Sequence, residues 1–297
     1  MTARFHLTAP TAISVPAALP GFITDVRPPA GIAEQHGAAR AAELSGLDGV
    51  TVPFDPDGAE SLVVAGGLLR GTRAPFQVTA EFHPAIATPV YAAKLSASLQ
   101  RFSGSRLGWR LLTELDQAVA RAQGDFTAPA ERYDRAAEFL TVAKGVWDTR
   151  DYTFEGRYYQ VLNGGFPESR SAPGFPRIYL SGTSLEALAL SAVHADVHLF
   201  APGDDLGLTP EGVTAGLILP VLAREDEEEA VLAAKRAGFD GLAGSYQQVA
   251  EALADYTSRG VGEFFLEPPD PVADGYLLGQ HVLPAVSDLR KDIHHVG

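Results

Sequence analysis

Short runs of β-branched and aromatic residues alternate along this chain with longer stretches in which alanine and leucine return every three or four positions. The first pattern predicts strands and the second amphipathic helices. The strand-like runs are Phe5–Ala9, Gly49–Pro53, Phe76–Phe82, Leu107–Leu112, Ile178–Leu180, Val197–Phe200, Val213–Val221 and Glu263–Leu266. Helical spacing occupies Ala33–Leu44, Glu60–Leu69, Val90–Phe102, Asp116–Gln123, Pro129–Trp147, Ser184–His194, Glu225–Ala237, Ser245–Arg259 and Val272–Leu289. Strands joined mostly by helices in one continuous order predict an α/β fold, a parallel sheet closed into a (β/α)8 TIM barrel. No repeat or linker divides the chain, so residues 1–297 read as one barrel domain.

Two connections depart from the pattern. Ala201–Gly212, between the sixth and seventh strands, holds two prolines and three glycines. A parallel crossover usually takes about 10–12 residues and includes a helix. This composition leaves no room for a full one, which predicts one shortened crossover. Asp151–Phe166 carries Tyr152, Phe154, Tyr158, Tyr159 and Val161, and reads as a β-ribbon before the fifth strand.

Composition narrows the function. The chain has 297 residues, 46% of them hydrophobic and 20% charged, enough for a sizeable core. A net charge of −14 argues against nucleic acid and anionic membrane surfaces as partners. No apolar run approaches the roughly 20 residues that span a bilayer. Met1–His6 has no long apolar stretch behind it, so no signal peptide is expected and a cytoplasmic setting is the default. The absence of cysteine excludes disulfides, thiolate metal sites and a cysteine nucleophile. His194 and His198 straddle a helix-to-strand junction and share no helix face, so no metal site is expected there.

The candidate chemistry gathers at strand ends. Arg177–Leu180 breaks at Ser181-Gly182-Thr183-Ser184 and passes directly into a helix. Ser184 suits an N-cap, and Gly182 permits a close turn. The first amides of such a helix lack internal partners and suit a phosphate, with Thr183 and Ser184 as added donors. A plain helix cap is the other reading of the same residues. Barrel active sites lie at the C-terminal ends of the strands, which here brings in Glu81, His83, Arg110, Thr113 and Glu114. His83 is either a group that titrates near neutrality or a surface loop histidine. Arg110 either meets an anionic ligand or pairs with Glu81 or Glu114. Glu81, on an apolar strand, needs a partner if buried.

Taken in order, several segments resemble the luciferase-like monooxygenases, particularly their alkanesulfonate monooxygenase branch. They are Ala38–Glu43 with Gly49-Val50, Thr88–Lys94 running on to Ser103–Trp109, Glu131-Arg132-Tyr133 through Phe139, and Phe154-Glu155-Gly156. The Ser-Gly-Thr-Ser turn, Gly244-Ser245 leading into Gln248–Glu251, and Gly275–Pro284 complete the set. The resemblance implies a barrel that uses reduced FMN, supplied by a separate flavin reductase, to activate O2 against a small organic substrate. It implies a homodimer, for which Ala38–Leu44 and Val63–Leu69 offer close-packing faces. It places the FMN phosphate at Gly182, Thr183 and Ser184 with Tyr133 nearby, and the flavin ring against Ala80 and the end of its strand, with Thr113 also at the cofactor. Tyr133 is alternatively a helix-face residue packing on the barrel. His83, Arg110 and Glu81 are the catalytic candidates. Arg110 stands where the family often has asparagine, Phe54–Ala59 lacks the branch's cysteine, and Ile218 and Pro220 replace its arginine and histidine. These departures leave a second reading, a non-catalytic flavin-binding or structural subunit. A barrel enzyme acting on a phosphorylated metabolite without flavin and a deazaflavin user are further alternatives.

Overall fold

The computed structural model describes residues 3–11, 20–23, 32–166 and 174–295. In chain order its strands are β1 (Arg4–Thr8), β2 (Gly49–Val52), β3 (Gln77–Phe82), β4 (Leu107–Leu111), β5 (Tyr152–Glu155) and β6 (Gln160–Gly164), followed by β7 (Arg177–Ser181), β8 (Val197–Phe200), β9 (Thr214–Arg224), β10 (Leu242–Ser245) and β11 (Val261–Glu267). The helices are α1 (Ile32–Leu44), α2 (Ser61–Gly71), α3 (Pro89–Ser103), α4 (Gln117–Ala122), α5 (Arg132–Asp148), α6 (Leu185–His194), α7 (Glu227–Ala237), α8 (Tyr246–Ser258), α9 (Pro271–Leu277) and α10 (Leu283–His295).

Strands β1, β2, β3, β4, β7, β8, β9 and β11 pair in parallel around a closed ring, with β8 joined to β9 and β11 to β1. These are the eight strands that the hydrophobic runs predict. Local chemistry fixes several helix ends. Thr88 accepts from the Tyr91 amide ahead of Pro89 and starts α3, which stops at Gly104 with φ 70°. Ser245 and Gln248 form a reciprocal capping box on α8.

Side-chain alternation divides the interior in two. Outward-facing residues such as Phe82 and Trp109 build the main core with the helices, and Phe139 of α5 packs among them. Inward-facing Tyr179, Val197, Leu199 and Phe265, with Ile218, make a separate apolar plug in the lumen. Toward the N-terminal ends of the strands lies a charged floor. Glu263 meets Arg177 at 2.7 Å, Arg4 at 3.6 Å, His6 at 3.1 Å and the Tyr179 hydroxyl at 2.9 Å. The low-numbered ends of β2 and β4 carry Gly49 and Gly108 for lack of room. A Cβ on Gly49 would lie 2.6 Å from His6 Nδ1, and one on Gly108 2.7 Å from Thr79 Oγ1.

The shortened crossover is confirmed, since Ala201–Gly212 holds only a 3-10 turn at Leu206–Leu208. The aromatic excursion is the antiparallel ribbon β5–β6. Three readings need correction. Strand β10 was not expected; it pairs only with the upper half of β9 and extends the wall above the barrel. The helix expected over Val272–Leu289 is interrupted by a π-helical turn, Leu278–Val282. There Gly279 closes onto Ser45, and a Cβ on it would fall 2.2 Å from Ser45 Cβ. The alanine face of α1 is spent within the chain, because Ala38, Ala39, Ala41 and Ala42 are buried, and α9 is among the elements α1 packs against. On α2, Val63 remains 71% exposed. Among the described residues no helix is long and apolar enough to cross a membrane.

Candidate active site at the barrel mouth

Gly182 follows β7 with φ +115°, a conformation that side-chain-bearing residues rarely adopt. A Cβ there would sit 2.9 Å from Ala187 Cβ and 3.4 Å from the Tyr133 hydroxyl. Ser184 then caps α6, its Oγ accepting from the Ala187 amide at 3.2 Å. The amides ahead of Ala187 in this first turn have no intrahelical partner. Thr183 is exposed and Ser184 half-buried, so the turn is open to a ligand.

Tyr133 reaches this turn from the first residues of α5. The Ser184 hydroxyl bonds to its oxygen, and the Tyr133 hydroxyl donates to Glu114 Oε1 at 2.5 Å. Burial first, then the Glu114 bond, pushes the Tyr133 phenol up to about 12. It is therefore a neutral hydrogen-bonding group at physiological pH. Tyr133 packs on the core cluster, as its helix-face reading has it, and also touches the turn.

Inside the mouth, Arg110 Nη1 lies 2.6 Å from Glu81 Oε2, with both side chains almost buried. The ion-pair reading of Arg110 is thus correct, and its partner is Glu81, not Glu114. The Phe54 amide also donates to the Glu81 carboxyl. Burial raises the Glu81 pKa, and Arg110 opposes that rise. Glu267, at the end of β11, behaves the same way: burial raises it and Arg110 lowers it. Two carboxyls of weakened acidity therefore share one guanidinium. Glu267 was missed in the sequence, although it continues the inward alternation Glu263, Phe265, Glu267.

His83 is buried, which corrects the surface-loop reading. It stacks edge-on with Phe54, and neither ring nitrogen has a hydrogen-bond partner. Burial lowers its pKa, so it stands as a neutral imidazole with one donor and one acceptor uncommitted. Nearby, Arg135 binds Asp125 through 2.9 and 2.6 Å contacts. Those bonds, with Thr127, hold the Asp125 carboxyl at about 2 against the effect of burial. Thr113 is buried just past β4. Ala80 is fully buried in the outer core among the helices, so its side chain does not face the mouth. His194 and His198 are also buried, His198 bonding Ser191 Oγ through Nδ1 at 2.7 Å and meeting the Gly182 backbone behind the turn.

The chain matches the luciferase-like monooxygenase family over residues 4–216. Its fold is shared with several solved structures. One is a riboflavin lyase with modified FMN and substrate riboflavin, at TM-score 0.78 and 15% identity, covering 97% of this chain and 92% of that one. EDTA monooxygenase from Chelativorans sp. BNC1 superposes with TM-score 0.78 and 16% identity, covering 97% and 94%. An F420-dependent secondary alcohol dehydrogenase in complex with an F420-acetone adduct gives 0.76 and 17%, covering 96% and 99%. Barrel and family match agree: the chain belongs to the luciferase-like monooxygenases, a family of flavin-dependent oxidoreductases.

Proposed function

We propose that the chain binds FMN across the barrel mouth and acts as a monooxygenase, using reduced flavin and O2 on a small organic substrate. The observation that carries this reading is the turn at Gly182–Ser184. Its backbone is stripped of Cβ where Tyr133 approaches, and it leads into a helix start whose first amides lack intrahelical partners, beside the exposed Thr183. That donor set fits a phosphate without a lysine. Bound reduced FMN would supply the electrons that activate O2. The chain's own part is to orient and to exclude water. Arg110, acting on both Glu81 and Glu267, would bring a cation to the mouth, and neutral His83 offers a proton donor or acceptor from a buried position. A separate reductase would deliver the flavin. A homodimer would form through the α2–α3 face, where Val63 and Tyr91 are exposed, and sedimentation at micromolar concentration would test it.

A second reading, a flavin-binding subunit without catalysis, is favoured by one observation: Arg110 is already neutralised by Glu81. Titration of the purified protein with FMN and with riboflavin tests the main reading. FMN should bind more tightly than riboflavin. Ser184→Asp, which places a carboxylate where the phosphate belongs, should weaken FMN by about 1–3 kcal/mol and riboflavin less. Equal affinity of the parent for the two ligands removes the phosphate role. Flavin binding without any flavin-dependent O2 consumption across small organic substrates selects the second reading.

A further inference from the structure

Glu267 ends β11 on the inward face of the barrel, two residues beyond Phe265 of the apolar plug. It is half-buried, and neither of its carboxyl oxygens is sealed from solvent, whereas Glu81 Oε2 is. Glu81 takes the direct contact with Arg110 and the bond from the Phe54 amide. Glu267 is left with the field of Arg110 alone, and no hydrogen bond from the described residues reaches it. A carboxylate drawn partly out of water without a donor is unfavourable until a group from outside the chain supplies one. Pro220, its partner in register on β9, has no N–H to give. Ile218 and Pro220 are both half-buried on the inward face of β9 and form an apolar wall beside the carboxyl. On the other side, Thr8 follows the Leu7–Leu266 pair on β1 and is paired with fully buried Thr51 on β2. Both turn hydroxyls without a partner toward the lumen.

The rim has the same sign as Glu267. Of the loops that leave the C-terminal ends of the barrel strands, 53–60, 83–88, 112–116, 182–184, 201–213, 225–226 and 268–270 contain no lysine or arginine. All but 83–88 and 182–184 carry aspartate or glutamate, and 182–184 is the turn given above to the phosphate. Arg224, at the end of β9, is taken by Asp274 at 2.7 Å. A cleft rimmed by one sign of charge, in a chain of net charge −14, concentrates cations at its entrance.

We propose that the mouth takes a substrate carrying a protonated amine, with Glu267 as its counter-charge and the β9 wall against its hydrocarbon part. This rests on the flavin reading above and names the substrate class for it. Among the described residues no group of three or more metal-ligating side chains gathers, and the Arg110 guanidinium repels a bare metal ion, so the occupant is an organic cation.

Calorimetry on the full chain at neutral pH tests it with n-butylamine, n-hexylamine and the matching alcohols and carboxylates, with and without saturating FMN. One amine should bind the parent at least tenfold more tightly than its alcohol and its carboxylate. It should lose at least tenfold in Glu267→Gln and recover partly in Glu267→Asp, while the alcohol changes less than twofold. Glu267→Gln should melt at the parent's temperature or above it, since a neutral group of the same shape replaces an unmet carboxyl. A lower melting temperature marks Glu267 as a structural residue and overturns the proposal. So do carboxylate binding as tight as amine binding, equal loss of amine and alcohol, and no saturable binding of any probe. FMN binding without amine preference overturns the cation subsite and leaves the flavin reading standing. Amine preference in a protein that binds no FMN overturns the flavin reading and leaves the subsite.

Discussion

Arg110 and Glu81 show how one contact sets the character of the mouth. Each is nearly buried, and neither is stable there alone. Arg110→Gln should therefore destabilise the fold by about 3 kcal/mol at neutral pH, because Glu81 and Glu267 lose the positive charge that opposes their burial. Adding Glu81→Gln should restore part of that loss. Urea denaturation of the single and double variants measures the coupling, and additive losses would show that the pair does not interact. Gly182→Ala is expected to weaken FMN without unfolding the protein, since the new methyl meets Ala187 and Tyr133 at the turn itself. Residues of this kind were legible in the sequence where the signal is local, as with Ser184 next to its own helix. They were not where the answer depends on the parity of a strand. Ala80 and Glu81 are neighbours, and a one-residue alternation sends the first into the outer core and the second into the mouth.

At the scale of elements, the long helix α5 couples the mouth to the β5–β6 ribbon. Its first turn carries Arg132 and Tyr133, and its last turns carry Gly145, against which the Tyr152 ring lies so closely that a Cβ would fall 2.2 Å from its Cζ. Gly145→Ala should push the ribbon off the helix and lower stability by about 1–3 kcal/mol, with the Tyr152 environment changing in near-ultraviolet circular dichroism. An unshifted melting temperature would contradict that packing account. The shortened crossover was readable because proline and glycine act on the backbone wherever they sit. Strand β10 was not readable, because Leu242-Ala243-Gly244-Ser245 lacks β-branched residues and becomes a strand only through pairing with β9. The broken helix after Pro271 hid for a related reason: its π turn answers to Ser45, far away in sequence.

Across the whole molecule, the buried groups His194 and Glu263 should each contribute to acid sensitivity in a different window, His83 adding to the first and Asp125 to the second. Burial first, then Lys144, lowers His194 from 6.5 to about 4. The unfolded chain takes up that proton first, so stability falls as pH drops from about 6.5 to 4. Burial raises Glu263, but the His6 bond and the charges of Arg177 and Arg4 prevail and hold it at about 2. Its contribution is complete above about 4.5 and lost as pH falls toward 2. His194→Gln should reduce the loss in the first window only. Glu263→Gln should reduce the loss in the second and lower stability at pH 7 by about 3 kcal/mol. Urea melts from pH 7 to pH 3 separate the two, and a common window for both variants would refute the assignment. The Glu263 network was beyond sequence reasoning, since Arg4, Gln77, Arg177 and Glu263 meet only once the ring closes. Above that floor the apolar plug fills the lumen, and its members Tyr179 and Phe265 have no exposure at all. Among the described residues the lumen is therefore closed on the floor side and open at the mouth. Whatever enters from the mouth must leave by the route it came, and two ligands stacked there obey last in, first out.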